Sequence, residues 1–142
     1  EFGSTTGRAR RCGWFDGVVA RYATKVNGLT SLAVTKLDVL DGCKELKVCT
    51  GYRYQGKLYR DMPADLQALT DCEPLYKTFK GWSGTTTGAS TYKQLPAEAK
   101  RYLESPEDIS ECPIDMLTTG TKRSETIILR NPLKTARSRG KR

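Results

Sequence analysis

Residues 31–38 read Ser-Leu-Ala-Val-Thr-Lys-Leu-Asp, a short apolar run that closes on a lysine and an aspartate. The nearly continuous apolar residues 31–37 predict a β-strand buried on both faces, as in a parallel sheet covered by helices. Ligands of such sheets bind beyond the carboxyl ends of the strands. The polar residues that end this strand therefore lie where a ligand is expected.

Helical and extended patterns alternate on both sides of this strand. Asp16 is a predicted N-cap of a helix that ends at Asn27, and Gly28 follows at a position that favours a left-handed residue. The helix is expected to turn Arg21 and Lys25 toward solvent. Its predicted buried face consists of five residues: Val18, Val19, Tyr22, Ala23 and Val26.

Residues 46–54 and 57–59 alternate around Gln55-Gly56 and predict a β-hairpin. Further predicted helices cover residues 63–69 and 96–103, and further predicted strands cover residues 74–79, 114–118 and 126–129. Together these elements predict an α/β fold, with a mainly parallel sheet flanked by helices and an antiparallel hairpin portion. Trp14 and Trp82 are predicted core residues.

The net charge of +8 in 142 residues is concentrated at the two ends of the chain. Residues 134–142 supply five positive charges, Arg8, Arg10 and Arg11 supply three, and the remaining residues, Glu1 included, sum to zero. This distribution argues against a basic nucleic-acid-binding body. We expect residues 1–133 to form one unit and residues 134–142 a basic, disordered tail. No apolar run has membrane-spanning length, and no signal-peptide pattern is present.

The chain has five cysteines and no histidine. None of the cysteines forms a C-x-x-C pair, which argues against a zinc site. Reduced, mostly buried cysteines of a cytoplasmic protein are the preferred interpretation. The five are Cys12, Cys43, Cys49, Cys72 and Cys112.

The first eleven residues read Glu-Phe-Gly-Ser-Thr-Thr-Gly-Arg-Ala-Arg-Arg. A Thr-Thr-Gly turn that leads into three arginines offers hydroxyls, amide groups and guanidinium forks to a carboxylate or phosphate. The alternative is a solvated basic terminus. The packing sequence Gly-Trp-Phe-Asp that follows at residues 13–16 favours the anion site.

Motifs along the chain resemble adenylosuccinate synthetase, the purine-pathway enzyme that joins IMP to aspartate at the expense of GTP. After the opening run they are Cys-Gly-Trp-Phe-Asp at 12–16, Asn-Gly-Leu at 27–29, Thr-Lys-Leu-Asp-Val-Leu-Asp-Gly at 35–42, Cys-Glu-Pro at 72–74, Gly-Trp-Ser at 81–83, Leu-Pro at 95–96, Pro-Ile-Asp at 113–115 and Glu-Thr-Ile-Ile-Leu-Arg at 125–130. Their order implies the C-terminal third of a longer, GTP-dependent ligase fold.

The resemblance implies that the opening run binds the substrate aspartate. Arg8 is also implied to reach IMP, and Arg10 to reach GTP, while Arg11 is expected to be a surface or structural ion-pair partner. Two guanidinium groups can hold the aspartate carboxylates while its uncharged amine approaches the purine. The implied aspartate-binding residues are Ser4, Thr5, Thr6, Gly7, Arg8, Ala9 and Arg10.

The implied GTP-binding residues Lys36, Leu37 and Asp38 end the first strand. A carboxylate can accept hydrogen bonds from N1–H and the exocyclic amine of guanine, a pair that adenine does not offer. The lysine stem can lie along the flat base. The pattern is similar to the Asn-Lys-x-Asp element of GTPases, with Thr35 in place of the asparagine. The alternative is a pair of solvated charges at the end of a strand.

Thr118, Thr119 and Gly120 follow a second apolar strand, where the family carries a Ser-Thr-Gly turn that closes over guanine. Thr118 keeps the hydroxyl of that serine. Thr121 and Lys122 replace the family's Pro-Asp pair, so proline does not fix φ in this turn. The alternative is a plain strand-end turn.

The family's P-loop, its magnesium-binding catalytic aspartate and its general-acid histidine are implied to lie in the N-terminal portion. This chain has no histidine and no G-x-x-x-x-G-K element, and its Gly-Thr-Thr-Thr-Gly loop at residues 84–88 lacks the required lysine. We therefore expect no catalytic residue and no metal ligand here, Mg²⁺ bound by the N-terminal portion, and no activity from this chain alone. The family also implies a cytoplasmic homodimer that binds neither membrane nor nucleic acid. The alternative function is a non-catalytic nucleotide- or anion-binding module with a basic docking tail.

Overall fold

The computed structural model describes residues 2–3 and 5–132. The predicted tail, residues 134–142, lies outside this range. The elements in chain order are β1 (Phe15–Asp16), α1 (Gly17–Asn27), β2 (Leu32–Val34), β3 (Glu45–Tyr54), β4 (Lys57–Tyr59), α2 (Leu66–Asp71), β5 (Glu73–Lys80), α3 (Ala97–Ser110), β6 (Ile114–Thr118) and β7 (Thr126–Ile128). Short 3₁₀ helices occupy Leu37–Leu40, Tyr92–Gln94 and Arg123–Glu125.

The described strands form two mixed sheets. In the first sheet, β3 pairs in parallel with β1 and antiparallel with both β4 and β5. In the second, β6 lies between β2, its parallel partner, and β7, its antiparallel partner. The predicted α/β class and its hairpin portion are confirmed, but the sheets are mixed and not mainly parallel, because three of the five strand pairings in the described part of the chain are antiparallel. The two central residues of the β3–β4 turn, Gln55 and Gly56, have φ of 48° and 74°, which matches the twist of a tight hairpin.

One hydrophobic cluster joins the two sheets through α3. Leu46 and Val48 of β3 belong to it together with Ile114 and Leu117 of β6, and all four are buried. α3 adds Ala99, Tyr102 and Leu103, and the Tyr102 ring meets Phe79 edge-on with the ring centroids 5.8 Å apart. This shared core fixes the two sheets relative to each other.

The first predicted strand is shorter than expected, and the prediction that both its faces are buried is wrong. β2 ends at Val34, its central residue Ala33 is exposed, and among the described strands it pairs only with β6. The chain then turns through Lys36, whose φ of 62° is left-handed, into the 3₁₀ helix. The apolar character of Leu37 reflects its place in the core, where it is 1% exposed, and not a continuing strand.

The predicted helix Gly17–Asn27 is confirmed, but its predicted buried face is only partly right. Val18 is buried and Ala23 is half-buried, whereas Val19, Tyr22 and Val26 are exposed. The helix packs on α3 through Arg21, whose Nε donates to the Ile109 carbonyl at 2.7 Å. The expectation that Arg21 points to solvent is therefore wrong.

The N-terminus of α1 is capped as predicted. Asp16 Oδ1 accepts hydrogen bonds from the backbone N–H groups of Val18 at 3.0 Å and Val19 at 3.1 Å. Its other oxygen accepts from the hydroxyl of buried Tyr52 at 2.6 Å, and Gly28 ends the helix with a left-handed φ of 60°. Burial and the neighbouring Asp16 carboxylate raise the pKa of Tyr52.

The later helices were located approximately by sequence. α2 begins and ends later than predicted, and α3 runs seven residues past Leu103 to Ser110, with Pro106 inside it. All five cysteines are free thiols; Cys49 and Cys112 are buried, whereas Cys12 is exposed. None of the helices in the described part of the chain is long and apolar enough to cross a membrane.

Candidate functional site

The opening run forms a tight turn. Gly3 N–H donates to the Arg8 carbonyl at 2.8 Å, Gly7 N–H donates to the Gly3 carbonyl at 2.9 Å, and Phe2 forms a β-bridge with Ala9. The left-handed φ of Gly7, 64°, allows the chain to reverse here. Ser4 lies outside the described residues.

The arginine side of this turn borders a cavity of ≈ 580 Å³. Thr5, Thr6, Gly7, Arg8, Ala9 and Arg10 are all exposed, so their polar groups are accessible to a ligand. The Thr6 hydroxyl accepts from the Arg8 N–H at 3.4 Å, which places it beside the first arginine. The lining residues are Gly3, Thr6, Arg8, Ala9, Arg10 and Arg11, so Arg11 also borders the predicted anion site.

The segment that follows β2 presents Asp38 but buries Leu37. Because the Leu37 side chain belongs to the core, only its backbone can face a ligand. Asp38 is half-buried, and its Oδ1 atom is inaccessible to solvent without a hydrogen-bond partner among the described residues. A buried carboxylate oxygen without a donor is costly, so this atom is suited to a donor supplied by a ligand.

The predicted guanine-binding segments lie side by side. The backbone N–H of Lys36 donates to the Thr118 hydroxyl at 2.9 Å, across 82 residues of sequence. This contact is possible because β2 and β6 are parallel neighbours whose carboxyl ends meet at one edge of the sheet. The Thr118 hydroxyl therefore has a defined partner in the first segment.

Thr119 and Gly120 serve the shape of the turn. The Thr119 hydroxyl is buried and donates to the carbonyls of Ala89 at 2.7 Å and Glu125 at 3.2 Å. A Cβ atom on Gly120 would lie 2.3 Å from a Glu125 carboxylate oxygen, so a larger residue there would have to displace the Glu125 side chain. That carboxylate also accepts from the Lys122 N–H at 2.7 Å. The Glu125 carboxylate thus holds this turn through the Lys122 N–H.

A further polar centre, Asp41, was missed by the sequence reasoning. One carboxylate oxygen accepts from Trp82 Nε1 at 2.7 Å and from the Thr86 hydroxyl at 2.9 Å. The other accepts from the Thr85 hydroxyl and from the Thr86 N–H, both at 2.7 Å. Burial alone would raise the pKa of Asp41, but these four hydrogen bonds together lower it below 3.8. The sequence signals for this centre were the Asp-Gly pair at residues 41–42 and, far away in the chain, the Gly-Thr-Thr-Thr-Gly segment at residues 84–88, here called the threonine-rich loop.

An open cleft of ≈ 880 Å³ lies between the opening run and the Lys36 segment. Phe2, Cys12 and Trp14 line one side of it, and Lys36 and Val39 line the other. Trp14 is 41% exposed, so its predicted place in the core is wrong, whereas Trp82 is 3% exposed and its prediction is confirmed. β1 contains only two residues, and Trp14, directly before it, lies at the open cleft. The cleft connects the two predicted ligand-binding segments.

No group of three or more potential metal ligands was found within residues 2–3 and 5–132. No chemical step is assigned to a metal in this chain. The polar groups gathered here, the exposed arginine forks and the buried carboxylate oxygen, are suited to binding and orienting ligands.

The sequence model of the adenylosuccinate synthetase family matches residues 1–127. An adenylosuccinate synthetase from Carboxydothermus hydrogenoformans is 55% identical over 129 residues, which cover 91% of this chain and 30% of the relative. One from Desulforamulus reducens is 53% identical with the same coverage. A solved structure of fully ligated adenylosuccinate synthetase from Plasmodium falciparum matches with a TM-score of 0.84 and 31% identity, over 92% of this chain and 32% of that one. The chain thus spans about 30% of the length of the curated relatives it matches.

Proposed function

The chain belongs to the adenylosuccinate synthetase family, and from this premise we propose that it forms the C-terminal part of an enzyme that ligates IMP and L-aspartate to adenylosuccinate at the expense of GTP. In this proposal residues 1–133 supply ligand contacts in a cytoplasmic homodimer, and the rest of the enzyme supplies the P-loop, the Mg²⁺ site and the acid–base residues. The 142-residue chain by itself is then a binding element without turnover.

The observation that carries the proposal is the Asp38 carboxylate. Its Oδ1 atom is buried and has no donor among the described residues, and the neighbouring Lys36 segment is fixed to Thr118 by a 2.9 Å hydrogen bond. Guanine offers two adjacent donors, N1–H and the 2-amine, that match the two oxygens of a carboxylate. Adenine lacks this pair. We therefore assign Asp38 to guanine recognition, with Lys36 along the base and the Thr118–Gly120 turn closing over it.

The arginine turn is the proposed aspartate site. Arg8 and Arg10 border one cavity with the Thr6 side chain, which provides two guanidinium forks and a hydroxyl for the two carboxylates of the amino acid. Held in this way, the amine of aspartate is left free to approach a purine ring. Arg8 is also assigned to IMP and Arg10 to GTP. The cleft between this turn and Lys36 leaves room for the substrates to lie close together.

The guanine assignment is tested by Asp38→Asn in the full-length enzyme. The asparagine amide presents a donor to the 2-amine of guanine, so one hydrogen bond becomes a donor–donor clash. An unpaired buried polar group costs about 1–3 kcal/mol, so we expect the GTP KM to rise about 5- to 150-fold. Xanthine carries a carbonyl at that position and accepts from the new amide, so activity with XTP should increase.

Asp108→Asn is the matched control, because it removes the same charge from an exposed position on α3. It should leave the use of both nucleotides unchanged. The KM values for IMP and aspartate should move little in either variant. Unchanged use of GTP by Asp38→Asn, with no gain on XTP, would remove Asp38 from nucleotide recognition.

A further inference from the structure

Hydrogen bonds connect the Lys36 segment, the Thr118–Gly120 turn and the threonine-rich loop into a closed circuit, here called the Asp41 ring. Asp41 binds the loop through Thr85 and Thr86. Within the loop, Ala89 N–H donates to the Thr86 carbonyl at 3.1 Å, and the Ala89 carbonyl accepts from the Thr119 hydroxyl at 2.7 Å.

The circuit closes at the candidate nucleotide site. Thr118, next to Thr119, accepts from the Lys36 N–H at 2.9 Å. The 3₁₀ helix that begins after Lys36 returns to the starting point, because the Asp41 N–H donates to the Asp38 carbonyl at 3.1 Å. Both segments assigned to guanine are therefore fixed to each other directly and also through Asp41.

Asp41 is the strongest link in this circuit. It accepts four hydrogen bonds of 2.7–2.9 Å, and hydrogen bonds to an ionised acceptor are about twice as strong as neutral ones. The side chain of its main partner, Thr86, is 0% exposed. Both carboxylate oxygens are occupied by the loop and by Trp82, so Asp41 has no acceptor directed at a ligand.

We propose that Asp41 is a positioning residue for the nucleotide, which holds the Asp38 segment and the Thr118–Gly120 turn at the separation that guanine requires. This inference rests on the guanine assignment proposed above. Asp41 lies three residues from Asp38 but acts through the backbone and the threonine-rich loop. Its loss weakens GTP binding and leaves the arginine turn, which belongs to another part of the chain, unaffected.

Two variants of the full-length enzyme test this role. Asp41→Asn replaces one acceptor oxygen with a donor, and Thr86→Val removes one donor of the ring while keeping the side-chain volume. Removing a link in such a network changes coupling to a site by about 0.5–2 kcal/mol, so each variant should raise the GTP KM about 2- to 30-fold. The KM values for IMP and aspartate should stay within about 2-fold of wild type. Thr86→Ser keeps the hydroxyl and should restore most of the GTP affinity.

The effects of Asp41→Asn and Thr86→Val on the GTP KM should not be additive. Because both variants break the same contact, the rise in GTP KM for the double variant should be smaller than the product of the single rises. Tyr52→Phe is the structural control, since it removes a buried hydrogen bond to Asp16 in the separate cluster of Val18, Cys49 and Tyr52. It should lower the melting temperature without raising the GTP KM.

An equal rise in all three KM values, a rise in the Tyr52→Phe control, or an unchanged GTP KM in Thr86→Val would overturn the positioning role. If Asp41→Asn does not fold, the comparison of Thr86→Val with Thr86→Ser still tests the positioning role. Asp38→Asn, measured alongside, separates the two hypotheses. If Asp38→Asn switches to XTP but Asp41→Asn and Thr86→Val leave the GTP KM unchanged, only the positioning role of Asp41 is refuted. No change in Asp38→Asn removes the guanine assignment and the role of Asp41 together.

Discussion

Gly81→Ala should destabilise the chain far more than the addition of one methyl group suggests. Gly81 follows β5, and its N–H donates to the Lys44 carbonyl at 2.9 Å where the chain enters β3. A Cβ atom there would lie 1.7 Å from the Cys43 carbonyl oxygen, whereas real Cβ contacts are essentially never closer than 3.0 Å. The two backbones must therefore separate by more than 1 Å, which stretches this hydrogen bond beyond its useful length.

The expected magnitude follows from these contacts. Forced overpacking costs about 1–3 kcal/mol, and the lost backbone hydrogen bond costs about 0.5–1.5 kcal/mol. The smaller conformational freedom of alanine in the unfolded state returns about 0.4–1 kcal/mol. We expect a net loss of about 2–3 kcal/mol in the free energy of unfolding, since the clash involves backbone atoms that no rotamer change relieves.

Urea denaturation of the 142-residue chain, followed by near-ultraviolet circular dichroism of buried Trp82, measures this loss. Gly13→Ala is the matched control: Gly13 is exposed, its φ lies outside the left-handed region, and a Cβ there meets no atom within 4 Å. The control should stay within about 0.5 kcal/mol of wild type. A Gly81→Ala variant as stable as the control would show that the backbone at the end of β5 moves away from Cys43 without a loss of stability, which would contradict the steric argument.

Two further predictions concern charge. Arg8→Lys in the full-length enzyme should raise the KM for aspartate at least about 10-fold, because one ammonium group cannot reproduce a bidentate fork; Arg101→Lys, at an exposed position on α3, is the charge-preserving control, and equal kinetics in both variants would contradict the assignment of Arg8. The hydrogen bonds to Asp41 outweigh its burial and lower its pKa below 3.8 in the folded chain, so its contribution to stability is complete above that pH and is lost as the pH falls through the folded pKa. Urea titrations between about pH 5 and pH 3 should therefore show a steeper acid loss in wild type than in Asp41→Asn, and parallel curves would contradict the lowered pKa.

Local signals in the sequence located most of the elements. The Asp16 cap, Gly28 and the Gln55-Gly56 turn act within a few residues, and the structure has them as predicted. Burial was harder to predict, because it depends on which distant element arrives. The apolar stripe of α1 contains Val19 and Tyr22, yet the helix turns its Arg21 face toward α3, where the Ile109 carbonyl accepts from the guanidinium group.

In the candidate site, too, local motifs were predictable from the sequence, whereas contacts between distant residues were not. Family motifs pointed to Lys36, Asp38 and Thr118, and the structure brings these segments together, although their ligand contacts stay predictions. Asp41 was overlooked because its partners are 41 to 45 residues away and share no local pattern with it. Trp14 was misplaced for the opposite reason: a tryptophan beside a glycine usually indicates packing, and here it lines an open cleft.

The Lys36–Thr118 hydrogen bond also has a consequence for the order of folding. It closes a loop of 82 residues, whereas the β3–β4 hairpin joins residues that are nearly adjacent. Hairpins form in about 1–10 μs, but contacts of large sequence separation must first overcome the entropy of loop closure and form more slowly. We therefore expect the edge where β2 and β6 meet to be among the last parts of the chain to assemble, so that the proposed guanine site would form only when folding is nearly complete.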